Sequence, residues 1–104
     1  MVRDAGIMKL LPGVVDEYKK RHDEIWPELV ESIKSHGGKN YSIFFNEETN
    51  ELFSYLEIEN LELWNKRAGD SITKKWWDYM ADLMEVNPDN SPVFSPIAEV
   101  FHLD

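Results

Sequence analysis

The chain has 104 residues, 42% hydrophobic and 30% charged, with a formal net charge of −9 and no cysteine. That length suits one domain spanning residues 1–104, and the composition is globular. The missing thiols exclude disulfides, Cys-ligated zinc, iron–sulfur clusters and cysteine nucleophiles. The acidic surface disfavours nucleic acid and anionic membrane, no apolar run approaches the ~20 residues of a membrane span, and no secretory leader pattern opens the chain, so a neutral small ligand and a cytoplasmic location are expected.

Taken in order, residues 5–11 read as a strand stopped by Pro12-Gly13. A helical pattern runs from about Val14 to His36 and is interrupted by Pro27, which kinks or restarts it and removes the helical donor of the Asp23 carbonyl. Gly37-Gly38 ends that stretch. Residues 40–46 form a second strand, and the polar residues 47–50 turn the chain into a third over 51–59. Asn60 caps a short helix reaching about Arg67, and Asp70 or Ser71 caps another from Ile72 to about Glu85. Residues 87–92 are loop chemistry, and 97–103 read as the last strand. The order βαββαβ predicts an α+β fold of the ferredoxin-like kind, a four-stranded antiparallel sheet with both helical layers on one face. The uncovered face needs a partner, so a homodimer is expected.

Val14, Tyr18, His22, Ile25, Leu29 and Ile33 fall within one sector of an ideal helix, so His22 points inward one turn after Tyr18. A lone inward histidine is ordinarily a core residue whose nitrogens find backbone partners. Two polar-tipped groups on the same stripe describe a pocket wall instead. Ile72, Trp76, Tyr79, Met80 and Leu83 make a second inward stripe, with Trp77 at its edge. Buried aromatics are ordinarily core, but adjacent tryptophans cannot share one packing direction on a helix. Indoles also offer flat apolar faces and an N–H donor, which suit the C–H faces and hydroxyls of a sugar. Tyr41 adds a hydroxyl from the second strand. His36 sits at a helix end, His102 alternates with Phe101 and Leu103, and no histidine or carboxylate spacing describes a metal site. No glycine-rich phosphate loop is present, so no nucleotide cofactor is expected.

These residues resemble the L-rhamnose mutarotase family across essentially the whole chain. The resemblance rests on Glu17-Tyr18, Arg21-His22, residues 25–29 (Ile-Trp-Pro-Glu-Leu), residues 34–37 (Lys-Ser-His-Gly), Asn40-Tyr41, Trp76-Trp77, Tyr79-Met80 and residues 87–92 (Asn-Pro-Asp-Asn-Ser-Pro). It implies a dimeric α+β barrel, His22 as proton donor, and Tyr18, Tyr41, Trp76 and Trp77 lining a site for L-rhamnose. It also implies a cofactor-free exchange of anomers by acid–base ring opening and reclosure. The partner base stays open among Tyr18, a carboxylate and a bound water. A monooxygenase of the same subunit fold and a non-catalytic sugar-binding module are the competing readings, because fold alone does not choose among them.

Overall fold

Alternation along the strands sets the architecture. Met8 on the first strand and Leu10 just beyond its end, with Leu52, Leu56 and Ile58 on the third, share one buried face, whereas Phe53 on the third strand is exposed. The computed structural model describes residues 1–104. Its strands are β1 (Val2–Lys9), β2 (Gly38–Asn46), β3 (Glu51–Ile58) and β4 (Ser95–Ile97), in the spatial order β2-β3-β1-β4, with every neighbouring pair antiparallel. Its helices are α1 (Val15–Asp23), α2 (Pro27–Ser35), α3 (Leu61–Asn65) and α4 (Ser71–Met80), with a 3₁₀ turn at Lys66–Gly69 after α3. The predicted α+β, ferredoxin-like arrangement is the one observed.

Pro27 restarts the helix. Having no N–H to contribute, it takes the first position of α2, while α1 has already ended at Asp23. The Asp23 carbonyl therefore loses nothing to Pro27, because it lies at the end of a helix and not within one. Asn60 caps α3 as expected, its side chain accepting from the Leu63 N–H at 2.9 Å. Asp70 stands at the N-cap of α4, yet its carboxylate caps no backbone N–H of that helix; it accepts from the hydroxyls of Ser32 and Thr73 and so ties α4 to α2.

Three boundaries differ most from expectation, and β2 also starts earlier, at Gly38. β1 begins at Val2 because the ladder with β3 runs unbroken from Val2↔Ile58 to Lys9↔Glu51 and recruits polar residues that local pattern would leave out. The last helix stops at Met80, not near Glu85, because Met84 bridges to Leu10 and draws the chain back to the sheet. The final strand is Ser95–Ile97, not 97–103. It pairs with β1 only through Ala5–Ile7, and Val100, Phe101 and Leu103 beyond it have no apolar surface to cover them, Val100 being 95% exposed.

Two apolar clusters lie between sheet and helices. The larger joins Met8, Leu10 and Leu52 to Tyr18, Leu29, Trp76 and Met80, and the smaller joins Leu56 and Ile58 to Trp64. Leu52 and Ile58 are almost wholly buried, each contributing about 1.5–3 kcal/mol of transfer free energy. Gly6 and Gly38 permit close approaches: a Cβ on Gly6 would stand 2.0 Å from the Phe94 ring, and one on Gly38 would stand 2.6 Å from the Trp64 ring. The opposite sheet face is bare, with Phe44, Phe53 and Ile97 exposed.

Candidate active site

The α1 register carries the central residue. Tyr18 and His22 are one turn apart, and their rings lie 4.3 Å apart between centroids. His22 Nδ1 is 3.0 Å from the Tyr18 carbonyl oxygen. A carbonyl only accepts, so Nδ1 carries the proton and Nε2 is the nitrogen left free. Burial lowers the His22 pKa below its usual value, more than the Tyr18 carbonyl and the charge of Asp23 restore. Tyr18 is buried, and desolvation drives its phenol far above the ordinary range. That removes it as a base near neutral pH.

α4 faces this pair. The Trp76 ring meets His22 edge-on at 5.4 Å and Trp26 edge-on at 5.0 Å. Such contacts are worth about 0.5–1.5 kcal/mol each beyond area burial. Arg21 locks the two helices together: its Nη1 donates to the Tyr79 carbonyl at 2.6 Å and to Asp82 at 2.9 Å, and its Nε donates to Glu17 at 2.8 Å. Its guanidinium also lies 4.4 Å from the Tyr79 ring centroid. Tyr79 is therefore not part of the inward stripe. It is 43% exposed, sandwiched between Arg21 and Trp26 on the outside of α4.

The sheet supplies Tyr41 through an irregularity. Lys39 pairs with Glu57 and Ser42 with Tyr55, so Asn40 and Tyr41 together oppose Leu56 alone. Asn40 takes a left-handed φ of 51°, which asparagine tolerates. After this bulge Tyr41 turns to the helical side. It keeps 43% of its area exposed, but its phenol oxygen is enclosed, which raises its pKa.

All five residues singled out in the sequence, Tyr18, His22, Tyr41, Trp76 and Trp77, line one cleft of about 940 Å³ between sheet and helices. That volume falls within the range typical of small-molecule sites, ~300–1,000 Å³. Trp76 is committed to the core, whereas Trp77 is half-buried and presents more of its ring. His36 and His102 stay outside: His36 bonds back to the Ser32 carbonyl at the end of α2, and His102 pairs with Asp104 on the surface. Among the cleft residues that escaped the sequence reading are Asp4, Arg67 and Phe94. Asp4 shares its strand parity with Gly6 and Met8, which was the available signal.

The sequence matches the profile described as L-rhamnose mutarotase over residues 3–103. The chain belongs to the L-rhamnose mutarotase family. An L-rhamnose mutarotase of Lachnoclostridium phytofermentans is 56% identical over 104 residues, covering 100% of both chains. One from Clostridium beijerinckii is 53% identical over 103 residues, covering 99% of each. A crystal structure of L-rhamnose mutarotase from Formosa agariphila superposes with a TM-score of 0.92 at 48% identity, covering 100% of both chains. Family membership sets aside the monooxygenase reading, which had rested on subunit fold alone.

Proposed function

We propose that this chain, acting as one domain over residues 1–104, interconverts the α and β anomers of L-rhamnose with His22 as the proton carrier. The observation that carries this reading is the fixed imidazole: with Nδ1–H held by the Tyr18 carbonyl, Nε2 is available to the cleft. Neutral Nε2 takes the proton from the C1 hydroxyl. The hemiacetal anion then breaks its C1–O5 bond, and the ring oxygen takes the proton back from the imidazolium. Rotation about C1–C2 and the reverse sequence give the other anomer. O1 and O5 share one carbon, so a single imidazole serves both, first as base and then as proton donor. Redox change, metal and covalent adduct have no place in this balance.

Tyr18 and Tyr41 supply hydroxyls, and Trp76 and Trp77 supply apolar faces for the sugar C–H bonds. The bare sheet face with Phe44 and Ile97, together with the uncovered Val100, Phe101 and Leu103, supports a homodimer. The acidic surface and the absence of any helix long and apolar enough to cross a membrane are compatible with a cytoplasmic enzyme. Saturation-transfer NMR between the two anomeric protons of L-rhamnose, with and without protein, tests the activity. Faster exchange on adding protein is expected. Sugar binding with no acceleration would leave the non-catalytic sugar-binding module as the better reading.

A further inference from the structure

Asp4 and Arg67 are two of the charged groups that line the cleft, and they stand at the end away from His22. Asp4 lies on β1 opposite Leu56, beside the smaller apolar cluster, whereas Tyr18 and Trp76, which enclose His22, belong to the larger one. Along the strand Asp4 is four residues, about 13 Å, from Met8 of that larger cluster. Arg67 comes from the 3₁₀ turn after α3, its guanidinium held 4.1 Å from the centroid of the Trp64 ring. Both line the cleft.

Neither group is satisfied within the protein. The Arg67 Nε is enclosed and has no hydrogen-bond acceptor. The chain's ion pairs join Arg3 to Glu99, Lys19 to Asp23, Arg21 to Glu17 and Asp82, and His102 to Asp104, and Asp4–Arg67 is not among them. The two charges are close enough to act on one another and on the Tyr41 phenol. The Arg67 Nη groups make no hydrogen bond within the protein and, unlike Nε, are not enclosed, so they are the donors Arg67 can offer to the cleft.

We propose that Arg67 and Asp4 form an anchoring subsite for a vicinal diol of the sugar, with an Arg67 Nη–H donating to one hydroxyl oxygen and the Asp4 carboxylate accepting from its neighbour. The inference rests on the mutarotase reading, which places the O5–C1 edge of the pyranose at His22. The ring edge directly opposite is C3–C4, so the C3 and C4 hydroxyls are the diol concerned. Tyr41, between the two ends, reaches the middle of the ring. These are binding and specificity residues, remote from the bonds that change, and contacts made equally in the ground and transition states act on affinity and not on the saturated rate.

The test uses the full-length protein, L-rhamnose, and analogues lacking the C3 or the C4 hydroxyl. Arg67→Met keeps an apolar stem over Trp64 without donors, and Asp4→Asn keeps shape without the charge. Calorimetric Kd is expected to rise about 10-fold to 100-fold in each variant, the usual loss for one charge-assisted hydrogen bond, while the exchange rate at saturating sugar changes by less than about threefold. Removing the C3 or C4 hydroxyl should weaken binding to the unaltered protein by a similar factor. The same removal should weaken the matching variant little further, a coupling that a merely structural role would not produce. Folded variants with unchanged Kd, analogue losses that add in full, or a fall in saturated rate at unchanged Kd would each overturn the proposal. Should a variant fail to fold, undiminished binding of both deoxy analogues to the unaltered protein would overturn it equally. An unaltered protein that binds L-rhamnose without speeding exchange would overturn the mutarotase reading instead, so the two failures are distinguishable.

Discussion

Replacing His22 with Gln separates chemistry from packing. The substitution removes an Nδ1–H bond to the Tyr18 carbonyl and an edge contact on Trp76. A neutral hydrogen bond is worth about 1 kcal/mol and the aromatic contact about 0.5–1.5 kcal/mol, so a loss of about 1.5–2.5 kcal/mol in stability is expected. At roughly 4–8 °C per kcal/mol for a chain of this length, the Tm should fall by about 6–20 °C, which leaves a folded protein if the starting Tm is ordinary. Anomer exchange should fall much further, by about 10²-fold to 10⁴-fold, because Gln cannot carry a proton between O1 and O5. Saturation-transfer NMR at saturating sugar measures the rate, and thermal unfolding in parallel measures the fold. A stable His22→Gln protein with full exchange activity would refute the assignment. A protein whose folded fraction works normally would return His22 to a structural role.

Further outcomes follow from the same geometry. Burial lowers the His22 pKa, so the neutral base persists through neutral pH and exchange should decline only on the acid side, with a midpoint below the usual 6.5; a midpoint at or above 6.5 would contradict this. The linked stability contribution is fully present above the unfolded value and is lost as pH falls through the lower folded value, and His22→Gln should remove that component from the unfolding-versus-pH curve. Trp77→Ala should weaken L-rhamnose binding by about 10-fold or more with the fold kept, and sugar should change the intrinsic fluorescence of the unaltered protein; unchanged affinity would make Trp77 plain packing. Gly6→Ala should displace the Phe94 ring and cost about 1–3 kcal/mol in denaturant unfolding, and a wild-type midpoint would show that the ring moves freely. Phe44→Asp, on the bare sheet face, should shift sedimentation from dimer to monomer, and an unaltered sedimentation coefficient would place the contact elsewhere.

Strong local signals picked out five of the residues that line this cleft. Tyr18 and His22 were legible because four-residue spacing on a helix survives any tertiary detail, and the Trp76-Trp77 pair because two adjacent indoles must face different ways. Other features depend on the sheet. The Tyr41 orientation comes from a bulge that only pairing with Leu56 reveals, although Asn40 before it was a clue. Asp4 belongs to a strand segment too polar to read as strand, and the ladder to β3 includes it. Arg67 follows a helix of five residues, where periodicity carries little information and the Trp64 contact is not local. The overreading of residues 97–103 has the opposite cause. Their apolar alternation is real, but a strand needs a face to bury against, and one copy of the chain offers none.

The placement of His22 follows from the break between α1 and α2. Because α1 ends at Asp23, His22 occupies its last turn, where the unpaired carbonyls of the helix carry partial negative charge. That end favours an imidazolium, as do the Tyr18 carbonyl and the nearby Asp23. Burial between Tyr18 and Trp76 opposes it and prevails, leaving the pKa below the usual value. A histidine in the middle of a continuous helix would feel the desolvation without the full benefit of the helix end, and its protonated form would be rarer still. An exposed histidine at the same helix end would be a weaker acceptor from a bound sugar, because more of it would already be protonated near neutral pH. A proton carrier that must first accept and then release within one turnover works best between those extremes. Pro27 contributes by starting α2 afresh, so that α1 can stop where its last turn meets the cleft.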